Sequence, residues 1–465
     1  MNAAQCFAPG SPTIALPEHR CRRGAYRLCR GVVFCSSFSV IFLPEFAHTS
    51  TQTLSPIYNK VAGSFRLVDL LLLFVTALHV LAIGCLRNRQ VCFPRGLAIP
   101  GLAFVGCIGV AIGYGAHLGG SNFFFDWRGL VLGAGLYFVW CFWIQNASDV
   151  AAAGCIFLAY AGIRIVVIYA LYMCGQRDTL LDVSIPIFDG PVLSCVVFTG
   201  LLAFAYLESA ADWRTRFPLA GLMLAAFLLV LLCLRRTYWG ELAIGTLLLL
   251  LLRQRNRARS FALAGAAMVI AAGVLGSSFL GRVQSLDVSR ADTQFSADNA
   301  DHVYDLMDAW YQVRQSPVMG IGLGTSYSTW HIRNWKQDSV MVHNAPLHVW
   351  LKYGVAGLIC YLWFHVALLG WLYRQSRAAT RPGRAGGVIR DGVLWPDRRL
   401  QAPSPAATFV STVFAYLAAQ FVMTLGFAPW PYSELQLTIL MSFLLAAAGA
   451  AQRSCTLRDG LVPQL

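Results

Sequence analysis

His343 is the residue of this chain whose type and position best suit acid–base chemistry. It directly precedes Asn344, a good helix cap, and Pro346, which is tolerated in a first helical turn because its missing N–H costs little there. An imidazole takes up a proton near neutral pH, and the free N–H groups of a helix start attract anions. The pattern predicts a general base beside an anion site, with a capping or packing histidine as the alternative.

Arginines in apolar surroundings supply the second chemical feature. Arg235 and Arg236 end an apolar run in CLRRTYWGEL, and Arg164 lies within AYAGIRIVVIYAL. A guanidinium group matches phosphate oxygens in a bidentate way, which favours an anionic substrate. For the arginine pair the alternative is interfacial snorkelling. For Arg164 the alternative is an ion pair with a carboxylate on another helix, such as Glu241.

The composition indicates that these residues belong to a membrane protein. Of the 465 residues, 57% are hydrophobic and 12% are charged, and a soluble domain carries about twice that charged fraction. A membrane-spanning helix needs about 20 mostly apolar residues, and about twelve runs are candidates. They predict an all-α fold, a polytopic membrane helical bundle of about 12 spans. The predicted centres are near Phe38, Thr76, Cys107, Phe138, Leu158, Val197, Leu224, Leu247, Met268, Leu358, Leu417 and Met441.

Basic clusters in short loops predict which way the bundle faces, because such clusters stay cytoplasmic. The clusters at 87–95, 253–259 and 374–399 are separated by even numbers of predicted spans, so all three lie on one side. The same parity puts the hydrophilic loop 281–346, between spans 9 and 10, on the far side. The net charge of +14 is then a topology signal, and no basic soluble face indicates nucleic-acid binding.

The predicted organisation follows from these assignments. Residues 1–30 are a cytoplasmic segment, 31–280 hold spans 1–9, 281–346 form the loop with the catalytic elements, and 347–452 hold spans 10–12. A flexible basic cytoplasmic loop is expected at 374–405, and a cytoplasmic tail at 453–465. The cationic start and the short first apolar run could be a signal peptide, but no convincing cleavage site follows, which favours an uncleaved span.

The long loop is predicted to be partly helical. From about Asp298 to Gln315 apolar residues recur with a helical period, with Ser296 or Asp298 as the N-cap and Pro317 as the stop. The apolar positions are Val303, Leu306, Met307, Trp310 and Val313. One helix face should therefore cover the outer ends of the bundle. The alternating glycines of GIGLGT, with Gly322 at their centre, permit a tight turn or a close backbone approach.

Taken together, residues 230 to 360 resemble the O-antigen ligase and polymerase superfamily of bacterial inner-membrane proteins. One matching element is Arg236-Thr237-Tyr238-Trp239 at the outer end of a span, and another is the late, long loop. The others are P-x-x-G-x-G-x-G at Pro317–Gly324, and H-N-x-x-L at His343 followed by the aromatic-Gly-x-x-Gly at Tyr353.

The resemblance implies a glycosyltransferase without cofactor or metal, in the bacterial inner membrane with its active site facing the periplasm. Its partners would be a polyprenyl-diphosphate-linked glycan donor, a lipid A core or glycan acceptor, and membrane lipids, with no nucleic acid. The family's catalytic histidine and outer arginine fall on His343 and Arg236. Where many relatives carry a loop arginine, this chain has Asp301-His302. We expect His302, Arg290 or Arg282 to supply that contact, or the acceptor to differ.

The remaining predicted site residues would bind substrate. Arg235 and Arg164 would hold the diphosphate beside Arg236, while Asn344 and Gly322 would shape the site without reacting. A polymerase of the same superfamily is the main alternative, followed by a protein oligosaccharyltransferase. A twelve-span transporter and a scaffolding subunit are alternatives from other classes. The absence of a two-fold internal repeat in the sequence argues against the transporter.

Overall fold

The fold was taken from a computed structural model, which describes part of the chain. The described residues are 17–42, 60–62, 65–66, 74, 77, 94–120, 123–173, 190–209, 212–233, 236–252, 294–328, 338–339, 342, 344–380, 388–390, 393–395, 405–426 and 435–458.

Helices form nearly all of this structure. They are α1 (Pro17–Phe42), α2 (Arg95–His117), α3 (Phe123–Trp143), α4 (Ala147–Met173), α5 (Gly190–Ser209), α6 (Trp213–Leu232), α7 (Arg236–Leu252), α8 (Gln294–Gln315), α9 (Ala345–Thr380), α10 (Pro405–Gly426) and α11 (Leu435–Arg458). Three short antiparallel pairs accompany them: β1 (Lys60–Ala62) with β2 (Phe65–Arg66), β3 (Tyr327–Ser328) with β4 (Asp338–Ser339), and β5 (Val388–Arg390) with β6 (Val393–Trp395). The predicted helical class is confirmed.

Apolar helices match the predicted spans in position. Ten of the twelve predicted centres fall inside α1 to α7 and α9 to α11, while those near Thr76 and Met268 lie outside the described helices. Among the described residues, five helices are long and apolar enough to cross a membrane by themselves, namely α2, α4, α6, α9 and α10. Four more contain shorter apolar helical stretches. The total of about twelve spans stays a prediction.

Two predicted boundaries differ from the structure. The loop helix α8 ends at Gln315 as expected but begins at Gln294, so both predicted caps, Ser296 and Asp298, lie inside it. In the segment predicted to be a flexible loop, α9 continues to Thr380 and β5 and β6 form a hairpin. The helix continues because its last turns stay packed: Ser376 is buried and its hydroxyl shares a hydrogen bond with that of Ser411 of α10.

Part of the bundle core is a cluster of aromatic rings to which four helices contribute as follows. Trp140 of α3 stacks on Phe38 of α1 with ring centroids 5.3 Å apart. Phe443 of α11 and Phe157 of α4 meet Phe38 edge-on. These pairs bury large apolar areas and hold α1, α3, α4 and α11 together. Beside them, Arg30 of α1 forms an ion pair with Asp149 at the start of α4.

A second group of helices positions the candidate site. In this group α9 packs on α2, and Phe104 of α2 lies between Tyr353 and Tyr361 of α9, with centroids about 6 Å apart. The other face of α9 packs on α10, which in turn packs on α7. The end of α2, the starts of α7 and α9 and the end of α10 therefore meet at one end of the bundle, where α8 also contacts α9.

Candidate functional site

Asn344 begins α9 as a helix cap. Its side-chain oxygen accepts a hydrogen bond from the backbone N–H of Leu347 at 2.9 Å, and its carbonyl oxygen accepts from the N–H of His348 at 2.9 Å. Leu347 is the third residue of α9, so Asn344 has the geometry of an N-cap residue. The predicted cap is confirmed. In the sequence His343 immediately precedes this cap.

The last turn of α10 joins the starts of α7 and α9. The side-chain N–H of Asn344 donates to the carbonyl oxygen of Leu425 at 3.0 Å. On α7, a Cβ at Gly240 would lie 2.5 Å from the sulfur of Met423, so α7 lies directly against α10 there. Met423 and Leu425 are two residues apart, which corresponds to about 3 Å along a helix.

Position 236 follows from the same packing. Arg236 is the first residue of α7 and lies one turn before Gly240, on the same helix face. Since α7 and α10 are antiparallel, this position is level with the final residues of α10, beside the segment that binds Asn344. Two helix starts that pack on one helix end are within about two helix diameters of each other, on the order of 20 Å.

The glycine turn 320–324 is inserted between α2 and α9. Gly322 has φ +80°, and a Cβ there would lie 2.5 Å from the Cα of Gly115 in α2. The N–H of Leu323 donates to the carbonyl of Ala111 at 2.9 Å, and the N–H of Ile321 donates to that of Leu351 at 2.7 Å. The predicted close backbone approach is therefore present, and the backbone that approaches Gly322 is that of α2.

Gly354 completes this junction by kinking α9. Its φ of +68° and ψ of −174° interrupt the helix, in a region that residues with a side chain avoid. A Cβ at this position would lie 1.9 Å from the carbonyl oxygen of Val318. Past the kink, the N–H of Val355 donates to the carbonyl of Pro317 at 3.1 Å. The kink lets the segment 317–319 lie against α9.

A buried polar cluster joins the loop to the first turns of α9. Lys352 is 0% exposed, and Asp305, His348 and Tyr327 are buried with it. The ammonium group of Lys352 donates to the carbonyl oxygen of Thr325, and the hydroxyl of Tyr327 donates to Asp305. Buried charges are costly unless they are paired and hydrogen-bonded. The cluster therefore fixes α8, β3 and the glycine turn onto α9.

His348 connects this cluster with Val342, in the segment just before α9. Its Nδ1 accepts a hydrogen bond from the backbone N–H of Val342 at 3.4 Å, and its side chain interacts electrostatically with Lys352 and Asp305. Val342 and Asn344 flank His343, and each is held by a side-chain hydrogen bond. The main chain on both sides of position 343 is therefore fixed relative to α9.

For several predicted site residues the structure describes either nothing or only the helix in which they lie. His343, Arg235, Arg290 and Arg282 lie outside the described residues. Arg236 and His302 are placed as helical positions in α7 and α8, and their side chains are outside the description. The roles assigned to these residues remain predictions.

Arg164 is buried in α4 on the face that also carries Phe157, Ala161 and Ile165. The contacts that join α7, α9 and α10 at the site do not involve it. Glu241, its suggested partner, is also buried, and one of its carboxylate oxygens lies 3.5 Å from the hydroxyl of Ser194. The diphosphate-binding role of Arg164 and its ion pair with Glu241 both stay predictions.

Sequence reasoning missed Lys352 and His348. The two are four residues apart at the start of an apolar run, so they share one helix face. Two ionisable residues on one face of a membrane-entering helix are costly without partners, and that spacing was the available signal. Asp305 was less accessible to prediction, because acidic residues in a hydrophilic loop usually face water.

Comparison with known proteins supports the resemblance found in the sequence. A family model described as "O-Antigen ligase" matches residues 220–362. The matched segment includes most of α6, all of α7 and α8 and the first half of α9, together with the glycine turn and His343. A search of curated proteins found no match. The apolar helices and this family indicate a multi-pass bacterial membrane protein.

Proposed function

We propose that this chain transfers a glycan from a polyprenyl-diphosphate carrier to an acceptor hydroxyl. Its residues 220–362 match the O-antigen ligase family model, which supports its place in the O-antigen ligase and polymerase superfamily. The observation that carries the proposal is the meeting of two helix starts at the end of α10. Asn344 contacts Leu425 there, and α7 packs through Gly240 on Met423. The starts of α9 and α7 therefore meet at one end of the bundle, which supports joint roles for His343 and Arg236.

Arg236 serves to hold the diphosphate of the donor. As the anomeric C–O bond breaks, negative charge builds on the departing polyprenyl diphosphate, and a guanidinium group stabilises that charge most where water is excluded. Arg235 and Arg164 are proposed to assist, and His302, Arg290 or Arg282 to contact the acceptor side. The free N–H groups at the start of α9 add a further anion-attracting element.

His343 acts as the general base in this proposal. Its imidazole takes the proton of the acceptor hydroxyl while the hydroxyl oxygen forms a bond to the anomeric carbon. The bond from that carbon to the diphosphate oxygen breaks in the same step, so the configuration inverts and no metal is needed. Holding both lipid-anchored substrates between the loop and the bundle supplies the proximity that such a displacement needs.

The site is proposed to face the periplasm of the bacterial inner membrane. In support, Arg95 begins α2 and the exposed Arg374 and Arg377 lie near the end of α9, so these cations are at the end of the bundle opposite Asn344. Basic residues mark the cytoplasmic side. The proposed bundle has about twelve spans, nine within 31–280 and three within 347–452, with 281–346 as the periplasmic loop.

The test is transfer of radiolabelled carrier-linked glycan by the purified protein in liposomes. The wild type should label a lipid A core acceptor, His343→Ala should lose that activity, and the matched His331→Ala variant in the same loop should keep it. Labelling only of a second carrier-linked unit would identify a polymerase. Uptake of the glycan into the vesicles without transfer would contradict the proposal and indicate a transporter.

A further inference from the structure

Helix α8 leaves several large apolar side chains exposed while two of its carboxylates are buried. Asp305 and Asp308 are buried, whereas Met307, Trp310 and Tyr311 are exposed by 51%, 43% and 58%. A water-facing helix normally buries its apolar stripe and exposes its charges. On α8 part of the apolar surface is buried in the usual way, but aromatic rings and a thioether remain on the outside.

The exposed apolar surface continues past the end of the helix. Val318 and Met319, in the turn after α8, are exposed by 64% and 44%. We name Met307, Trp310, Tyr311, Val318 and Met319 together the outward face of α8. Arg314, which lies between Tyr311 and Val318 in the chain, is also exposed and places a positive charge beside this face. A contiguous exposed patch of large apolar side chains marks an interaction surface.

This outward face adjoins an exposed apolar side of α9, which we assign to lipid. Along α9, Ile359, Trp363 and Val366 are exposed at the spacing of one helix face, and α9 is one of the helices apolar enough to span a membrane. The carbonyl oxygen of Pro317, immediately before Val318, accepts the N–H of Val355 at 3.1 Å. Val318 and Met319 therefore lie at the top of that lipid-facing side.

Two aromatic contacts extend the connection to α8 itself. The rings of Trp310 and Trp350 meet edge-to-face with centroids 5.4 Å apart, and the indole N–H of Trp350 donates to the same Pro317 carbonyl at 2.9 Å. Tryptophan and tyrosine are the residues enriched where a bilayer meets water. The outward face of α8 is thus continuous with the exposed apolar side of α9, a helix apolar enough to span a membrane.

We propose that the outward face of α8 binds the phospholipid surface at this end of the bundle, so that α8 lies in the membrane interface as an in-plane helix. Its rings and thioethers occupy the boundary between headgroups and acyl chains. The guanidinium group of Arg314 pairs with lipid phosphates at the rim. The buried Asp305 and Asp308 face the protein, which keeps negative charge away from the lipid. This inference does not depend on the proposed transferase activity.

Photocrosslinking of the full chain in nanodiscs of phosphatidylethanolamine and phosphatidylglycerol tests the proposal. A benzophenone amino acid is placed at Tyr311, with Ile359 as the lipid-facing control and the exposed Ser148, in the first turn of α4, as the aqueous control. We expect the lipid adduct at 311 to approach that at 359 and to exceed that at 148 severalfold. Adducts to a second copy of the chain, or lipid adducts no more frequent than at 148, would overturn it.

A second measurement needs only a conservative variant. The fluorescence of Trp310 is obtained as the difference between the wild type and Trp310→Phe, and the chain is reconstituted with lipids brominated near the headgroup. Bromine should quench this difference signal strongly. A difference signal that is insensitive to brominated lipid but quenched by an aqueous quencher would show that α8 faces water.

Discussion

Asn344 and Leu425 are joined by a 3.0 Å hydrogen bond from the asparagine side chain to the leucine carbonyl. The same side chain caps α9 through the N–H of Leu347. One residue therefore sets both where α9 begins and where that start lies relative to α10. Because His343 is its neighbour in the chain, the position of the proposed general base depends on this pair.

Substitution of Asn344 should separate its two roles. Asn344→Ser keeps a capping oxygen but loses the donor to Leu425, at a cost of about 1 kcal/mol, whereas Asn344→Ala also loses the cap, at about 1 kcal/mol more. Thermal unfolding in detergent should rank the wild type above Ser and Ser above Ala. Transfer activity should fall in both variants. Equal stability of the two variants would show that the cap contributes nothing.

Contact between α7 and α10 should be required for activity. Gly240→Leu forces a side chain into the space of Met423, which costs about 1–3 kcal/mol and moves the start of α7 away from α9. We expect transfer to fall while the protein remains in the membrane. Adding Met423→Ala should restore activity by making room.

The matched control for this pair is Gly221→Leu in α6, where a Cβ meets nothing within 4 Å. That variant should keep wild-type transfer. If Gly221→Leu were as damaging as Gly240→Leu, or if Met423→Ala failed to rescue, the closeness of α7 to α10 would not explain the loss.

The kink at Gly354 should tolerate no side chain. Gly354→Ala places a methyl group 1.9 Å from the Val318 carbonyl at a φ of +68°, so we expect a loss of about 3 kcal/mol or more from clash and backbone strain. Gly370→Ala, in the regular part of α9 with open space around it, should be neutral or stabilising by up to about 1 kcal/mol. Unfolding temperatures of the two variants in the same detergent test this contrast.

Lys352 should be essential for docking the loop on α9. Lys352→Met keeps the side-chain volume but leaves Asp305 buried without that cation, which should cost about 3–5 kcal/mol. Combining it with Asp305→Asn should recover part of the loss, and the double-mutant cycle measures the coupling. Limited proteolysis of the segment 294–342 reports undocking. Strict additivity of the two substitutions would argue against a shared cluster.

Much of the site could be predicted from local sequence because local rules govern it. The cap at Asn344 follows from residue type and from Pro346 two positions later. The close approach at Gly322 follows from alternating glycines, although the sequence did not indicate that α2 is what approaches. The end of α8 at Gln315 follows from Pro317, whereas its start at Gln294 does not, since the cap residues predicted for it are absorbed into a longer helix.

The two faces of α8 show where local rules stop. The helical period selected Met307, Trp310 and Val313 as one apolar face, but in the structure Val313 is buried and the other two are exposed. Periodicity identifies residues that avoid water without distinguishing protein from lipid as their partner. Since both partners accept apolar side chains, the sequence could not assign the face.

The sequence by itself determined the membrane class, most helix positions, the cap of α9 and the glycine turn, because these depend on residue types and on spacing along a short segment. Tertiary structure alone decided that α7 and α9 begin beside the end of α10, and that Lys352, His348 and Asp305 are buried together. The physical reason is that hydrophobic burial and ion pairing are satisfied by any suitable neighbour, and only the packed chain specifies which neighbour that is.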